Sequence, residues 1–273
     1  MKYNLKFVKN SEDHKFAGVG FAGNIFIVLN SLMYLTVDDE LHVDMETNEC
    51  CCSDETQTLF DTKNCWEFYF NQTTKDSISS EFDSLLDAKI HYNNDDIFMF
   101  PEKFMELKIK FWRNFDLNED IKNEIKSFYE KNILGKKTLG VQVRLTDMKH
   151  YHNVSPVEKY LNRINEILLS NPEIEQIFLS TDDSEVIDYL KSNIDRKIIY
   201  YENMFRATKD EPHLHPYDRF NSQRPMHKYL IGVECCQEIF TLAKCDYMLK
   251  ADVSSISIVA SILSEKIKKV FML

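Results

Sequence analysis

Positive charge is what this chain of 273 residues lacks most: 33 Lys and Arg stand against 44 Asp and Glu, a formal charge of −11. No basic tract offsets that balance, which excludes a binder that grips a nucleic-acid backbone through clustered cations. An anionic ligand would need a local positive pocket, because the global field does not attract it. Long hydrophobic runs are missing too. Met1 to Asn10 holds no apolar core of signal-peptide length, and no later run reaches the roughly 20 residues that span a membrane. The expectation is a cytoplasmic protein without a transmembrane segment, peripheral membrane contact staying open. Without a secretion signal the seven cysteines read as reduced thiols, and the adjacent Cys50-Cys51-Cys52 lack the usual two-residue spacing of zinc ligands. Neither an internal repeat nor a low-complexity linker divides the chain.

What is there is the composition of a globular protein, 44% hydrophobic and 28% charged, long enough for one large or two small domains. The pattern predicts a strand over 3–8, a glycine cluster at 18–23, a helix over 25–35 and a strand over 41–44. Residues 45–100 are the least legible, and 101–134 read as helical through Phe104, Leu107, Phe111, Ile121, Ile125 and Phe128. From 138 onward strands and helices alternate: strands at 138–144, 177–180, 197–201 and 247–250, and helices at 156–169 (capped by Ser155), 184–191, 229–243 and 255–266. Such alternation implies an α/β fold with a parallel sheet.

Three strand ends in this half carry polar clusters, Arg144 with Asp147, Asp182 with Asp183, and Ser254 with Ser255. Parallel strands place all three on one edge, where open α/β sheets bind ligands. Arginine suits a phosphate there because its planar fork gives two charge-assisted hydrogen bonds. A strand-end salt bridge would explain Arg144 and Asp147 equally well, helix capping would explain Asp182 and the two serines, and Asp183 would be a first-turn acid. Gly18-x-Gly20-x-x-Gly23 has dinucleotide-fingerprint spacing but no acidic residue that closes a ribose site. His213 and His215 read as exposed histidines on a long, proline-flanked loop.

Taken together, these segments resemble the fucosyltransferase superfamily that holds the α-1,6- and rhizobial nodulation fucosyltransferases, and more distantly the α-1,2- and protein O-fucosyltransferases. Gln142-Val143-Arg144-Leu145-Thr146-Asp147 is similar to that family's H-x-R-R-T-D, Ser155-Pro156-Val157-Glu158-Lys159-Tyr160 to its H-P-x-x-x-Y, and Phe178-Leu179-Ser180-Thr181-Asp182-Asp183 to its F-L-A-T-D-D. The longest likeness begins at Gly232-Val233-Glu234. It continues through Leu242-Ala243-Lys244-Cys245-Asp246-Tyr247-Met248-Leu249-Lys250 to Ser254-Ser255, while Gly20-Phe21-Ala22-Gly23-Asn24 resembles the family's G-x-G-N opening. Residues 138–262 and 18–44 are covered in order; 45–130 are not. Leu145 stands where the family has a second arginine, Gln142 where it has histidine, and Glu238 where it has aspartate.

The resemblance implies a GT-B-like architecture, two Rossmann-like domains with parallel sheets facing a cleft: 1–134 on the acceptor side and 135–273 binding the nucleotide sugar. It implies an inverting glycosyltransferase that moves a sugar, L-fucose from GDP-fucose foremost, to a hydroxyl of a glycan acceptor, with no cofactor and no metal. Arg144 would hold the donor diphosphate with Asp147 in support. Gly23, Asn24, Gln142, Asp182, Asp183 and His215 would lie on the donor side, Glu238 would read guanine, and Ser254 and Ser255 would contact phosphate. His152 and Glu158 are candidates for the general base. The alternatives are a nucleotide-sugar-binding protein without transfer, and a Rossmann enzyme using a dinucleotide at Gly18–Gly23.

Overall fold

The computed structural model describes residues 1–7, 20–45, 51, 54–73, 80–83, 101–146, 154–207, 222, 224–251 and 254–273. The chain divides into two compact units, Met1–Asn123 with Gln223–Cys236, and Glu124–Ser222 with Gln237–Leu273.

In the first unit, β1 (Lys2–Lys6), α1 (Phe21–Leu32), β2 (Glu40–Asp44), α2 (Asp54–Phe60) and a 3-10 turn at Cys65–Phe68 precede β3 (Phe70–Gln72) and β4 (Ser80–Asp83). Then come α3 (Pro101–Asn114), β5 (Phe115–Leu117) and the start of α4 (Glu119–Asn132). Strand β1 lies between β2 and β4, parallel to both. Helix α1 carries no charged residue and is buried throughout, as expected for a helix enclosed on every side.

The stretch 101–134 is not one continuous helix. Phe115–Leu117 leaves the helical path and pairs antiparallel with Phe70–Gln72. The cause is tertiary: Phe115 joins a buried aromatic cluster with Trp66, Phe70 and Phe111, at centroid separations of 5.2, 6.5 and 5.3 Å. The polar residues of this part also have a task. Strand β2 meets no further strand on its outer side among the described residues. There side-chain amides replace one: Asn114 Oδ1 accepts the Leu41 N–H (2.7 Å), Gln72 Oε1 that of Val43 (2.7 Å), and Asn64 Oδ1 that of Met45 (3.0 Å).

The second unit holds the larger sheet. Its elements are β6 (Thr138–Val143), α5 (Val157–Ser170), β7 (Gln176–Thr181), α6 (Ser184–Asn193) and β8 (Lys197–Ile199), then the end of α7 (His227–Leu242), β9 (Tyr247–Leu249), α8 (Ser255–Leu263) and β10 (Lys269–Phe271). The strands are all parallel, in the order β10-β9-β6-β7-β8. Strands β6 and β7 are buried at every position, which is why they read as near-continuous apolar runs. Odd-numbered residues Leu139, Val141, Val143, Ile177, Leu179 and Leu249 pack with α5 and α6 through Tyr160, Ile164, Val186 and Leu190. On the other face, Gly140 admits the Leu242 and Cys245 side chains so closely that a Cβ there would meet Leu242 Cδ2 at 2.9 Å. The final strand, β10, follows a helix that stops at Leu263 rather than running to 266.

Two details correct the sequence reading. Cys65 is disulfide-bonded, whereas Cys51, Cys235, Cys236 and Cys245 are the reduced thiols expected. The N-cap of α5 is Pro156, not Ser155; the Ser155 hydroxyl instead accepts from Lys159 Nζ at 3.1 Å.

Candidate active site

The strand order of the second unit reverses between β6 and β9. In sheets of this topology the crevice beyond the carboxyl ends of the two strands at the reversal is where ligands settle, because the connections depart to opposite faces and leave it open. The segment after β6 carries Arg144, and that after β9 carries Lys250 and, at the start of α8, Ser254 and Ser255. Sequence order places these residues far apart; the sheet makes them neighbours of one edge.

Arg144 is partly exposed, 20% of its side chain reaching solvent, and its Nε lies 3.5 Å from Oδ2 of Asp182. Asp182 itself is buried. Its carboxylate accepts the Leu145 N–H at 3.2 Å and the Thr146 hydroxyl, tying the segment after β6 to the end of β7. Both oxygens are thus engaged within the protein, and Asp182 acts on the site by holding residues 144–146 in position. Asp183 is the N-cap of α6, accepting the Glu185 N–H at 2.9 Å. The cap is therefore Asp183 and not Asp182, and the first-turn acid is Glu185.

Helices α6 and α8 differ electrostatically where they begin. The first turn of α6 already contains Asp183 at its cap and Glu185 after it. Helix α8 opens with Ser254 at its cap, no acid in its first turn, and no side-chain cap bond among the described residues. An anion is therefore favoured at the N–H groups of α8 over those of α6. Ser254 and Ser255 are half-buried there.

Gln142 and Ser180 are paired across β6 and β7, each about 1% exposed. Among the described residues, Gln142 Oε1 and Ser180 Oγ have no hydrogen-bond partner. Lys250 is 3% exposed, and burial lowers its ammonium to about 8. Arg206 brings a further cation to this edge, donating from Nε to the Thr181 carbonyl at 3.1 Å while its guanidinium lies 5.4 Å from the Tyr200 ring centre. The sequence reading gave no role to Ser180, Lys250 or Arg206. A signal existed for the first two: each is a polar position at or beside a buried strand end.

Glu158 is an exposed acid in the first turn of α5. Glu238 lies half-buried on the part of α7 that belongs to the second unit. Gly23 and Asn24 belong to the first unit. Gly23 donates its N–H to the Gly20 carbonyl (2.8 Å) in the opening turn of α1, and Asn24 is buried with its amide 3.9 Å from Met45 Sδ. Asp147, His152 and His215 lie outside the described residues. Among the described residues, no group of three or more His, Cys, Asp and Glu is placed to hold a metal ion, and no helix is long and apolar enough to cross a membrane.

No family model matches the chain, and no curated protein does. Solved structures do. A NodZ α-1,6-fucosyltransferase soaked with GDP-fucose superposes with a TM-score of 0.56 at 13% identity, over 96% of this chain and 92% of that one. Fucosyltransferase NodZ from Bradyrhizobium gives 0.55 at 14% identity, over 96% and 93%. POFUT1 in complex with GDP-fucose gives 0.50 at 8% identity, over 100% and 97%. From β1 to β10, the chain has a fucosyltransferase-type fold.

Proposed function

We propose that this protein is a glycosyltransferase that binds a GDP-sugar, GDP-fucose foremost, and transfers the sugar with inversion to a hydroxyl of a glycan acceptor. The observation that carries the reading is the switch point between β6 and β9. Arg144 follows one strand and the acid-free start of α8, with Ser254 and Ser255, follows the other, on a fold shared with a fucosyltransferase soaked with GDP-fucose and with POFUT1 in complex with it. In this reading 135–273 takes the nucleotide sugar and 1–134 the acceptor, in the GT-B-like manner.

The acceptor oxygen attacks the anomeric carbon while the bond from that carbon to the diphosphate oxygen breaks, and the bonding pair leaves on GDP. Negative charge grows on the diphosphate as the bond lengthens. Arg144 and the N–H groups of α8 stabilise it, and such preorganised donors carry much of the catalysis in sites of this kind. Asp182 holds Arg144 in place, and Asp147 supports the same segment. A base must take the acceptor proton. His152 and Glu158 remain our candidates; Glu158 is exposed at the start of a helix that follows β6, where a substrate can reach it. Gly23, Asn24, Gln142, Asp183, His215 and Glu238 complete the donor side in this proposal, Glu238 accepting from guanine, whose N1–H and amino group both donate. No metal is invoked.

Calorimetric titration with GDP, UDP and NAD tests the donor class, followed by GDP-sugar turnover and a mass-shift screen of glycan acceptors. Binding of GDP but not UDP or NAD, with a deoxyhexose added to an acceptor, is the expected result. NAD binding without a response to GDP would overturn the reading. So would GDP binding with no turnover of any GDP-sugar across a broad acceptor panel.

A further inference from the structure

Side chains on parallel strands alternate between the two faces, so the even-numbered positions of β6, β7 and β9 share the face opposite the α5/α6 core. Traced to the carboxyl edge, those positions are Ser180 on β7, Gln142 on β6 and Lys250 just past β9. Gln142 pairs with Ser180, and the β6–β9 register, ending at Val141 and Leu249, brings Gln142 and Lys250 to the next step. The ladder toward β10 also continues through Lys250, whose N–H donates to the Phe271 carbonyl at 3.0 Å. Three polar residues thus cross the sheet in one buried row at the strand-order reversal. The even positions beyond it on β6 and β7 are Arg144 and Asp182, the ion pair of the candidate active site.

A buried polar atom with no partner calls for a ligand, water or ion to satisfy it. Two occur side by side here, Gln142 Oε1 and Ser180 Oγ, next to a lysine taken almost wholly out of solvent. The neighbouring Leu145 supplies no charge: its side chain belongs to the apolar core on the odd-numbered face. We propose that Ser180, Gln142 and Lys250 form an anion-binding row beneath Arg144, in which Lys250 provides the second cation for the donor diphosphate. The assignment of the anion to a nucleotide sugar rests on the function proposed above. Chemically the row suits an oxyanion whose oxygens accept from the ammonium, the serine hydroxyl and the glutamine amide NH2, with the amide oxygen turned to a bridging water. A lysine is a compact point charge, so the row neutralises a diphosphate without the bidentate geometry that a second arginine would impose.

The test compares wild type with Lys250→Met, Lys250→Arg and Gln142→Leu, using inorganic pyrophosphate, GDP and guanosine as probes in thermal-shift and calorimetric titrations. Pyrophosphate is expected to raise the wild-type Tm and to do little for Lys250→Met. The same variant should bind GDP about ten- to hundredfold more weakly, the range of a lost charged hydrogen bond. Guanosine affinity should not change, and Lys250→Arg should keep most of the GDP affinity. Without ligand, Lys250→Met should fold, since methionine keeps most of the apolar volume of the lysine stem. Should it nevertheless fail to fold, Gln142→Leu carries the test, with a severalfold loss of the pyrophosphate response and none for guanosine. Equal responses of wild type and variants to pyrophosphate and GDP would overturn the row while leaving the GDP-sugar reading intact. A lysine-dependent pyrophosphate response, with no preference for GDP over UDP, would keep the row and overturn that reading instead.

Discussion

Arg144 and Asp182 stand at the ends of adjacent parallel strands with Nε and Oδ2 3.5 Å apart, and the two residues contribute opposite things. Arg144 is partly exposed and need not support the core. Arg144→Ala should therefore cost only about 1 kcal/mol, since the buried Asp182 carboxylate keeps the Leu145 N–H and the Thr146 hydroxyl as donors. GDP binding should weaken at least about tenfold, since a charge-assisted bond to phosphate is lost, and transfer should vanish. Denaturant unfolding beside GDP titration checks both halves; wild-type affinity in the variant would remove Arg144 from the mechanism.

Asp182→Ala should show the reverse balance. The Leu145 N–H and the Thr146 hydroxyl would lose their acceptor inside the protein, at a stability cost of about 1–3 kcal/mol. GDP affinity should fall too, but only through Arg144. In Arg144→Ala/Asp182→Ala, binding should accordingly be no weaker than in Arg144→Ala alone, because residues acting through one group are not additive. Additive losses in GDP affinity would instead give Asp182 its own contact with the ligand.

Legibility in the sequence tracked burial. Strands β6 and β7 were readable because both faces are covered, leaving an uninterrupted apolar signal, and the polar residues just beyond them marked the edge. Helix α3 and strand β5 were not separable, since the three residues Phe115–Leu117 give too short a period-two pattern and their strand pairing depends on distant aromatic partners. A local clue was present: Asn118-Glu119-Asp120 is a helix-start signal inside a stretch read as helical. The amides of Asn64, Gln72 and Asn114 looked like loop composition because their role, completing the edge of β2, exists only in three dimensions. At the site, Arg144, Ser254 and Ser255 were visible as strand-end polar residues. Lys250 carried the same strand-end signal, whereas the tie from Asp182 to Leu145 and Thr146 was hidden by its separation in sequence.

Gly232, on α7, and Gly140, packed against Leu242 at the end of α7, test how tightly their surroundings are filled. A Cβ on Gly232 would fall 2.3 Å from Cζ and the hydroxyl oxygen of Tyr69. Tyr69 cannot swing aside easily: it is fully buried, its hydroxyl donates to the Cys51 or Tyr229 carbonyl (3.1 and 3.3 Å), and its ring stacks on Tyr229. Gly232→Ala should destabilise by about 3 kcal/mol, the upper part of the overpacking range. Gly140→Ala meets the end of a leucine, Leu242 Cδ2, at 2.9 Å and should cost nearer about 1 kcal/mol. Denaturant midpoints at constant m-value rank the two. Equal losses would mean that the tyrosine yields as readily as the leucine.

Asp246 gives the acid response its sign. It sits at the amino-terminal edge of the large sheet, away from the site, fully buried, accepting the Thr138 N–H (3.1 Å), Lys137 Nζ (3.1 Å) and Lys266 Nζ (3.2 Å). Burial alone would raise its pKa, but these donors outweigh it together and hold the carboxyl below its ordinary 3.8. A carboxyl that is a stronger acid folded than unfolded binds fewer protons in the native state. Its stabilisation is therefore complete above the unfolded value and disappears as pH falls through the folded one. Because both lysines are well exposed, Asp246→Asn should cost only about 1–3 kcal/mol at neutral pH. The gap between wild type and variant should begin to close as the pH drops past 3.8 and should shrink further in stronger acid. Urea unfolding of the pair across that range measures it, and a gap that held constant, or widened, in acid would show that the charge on Asp246 is not what the three donors recognise.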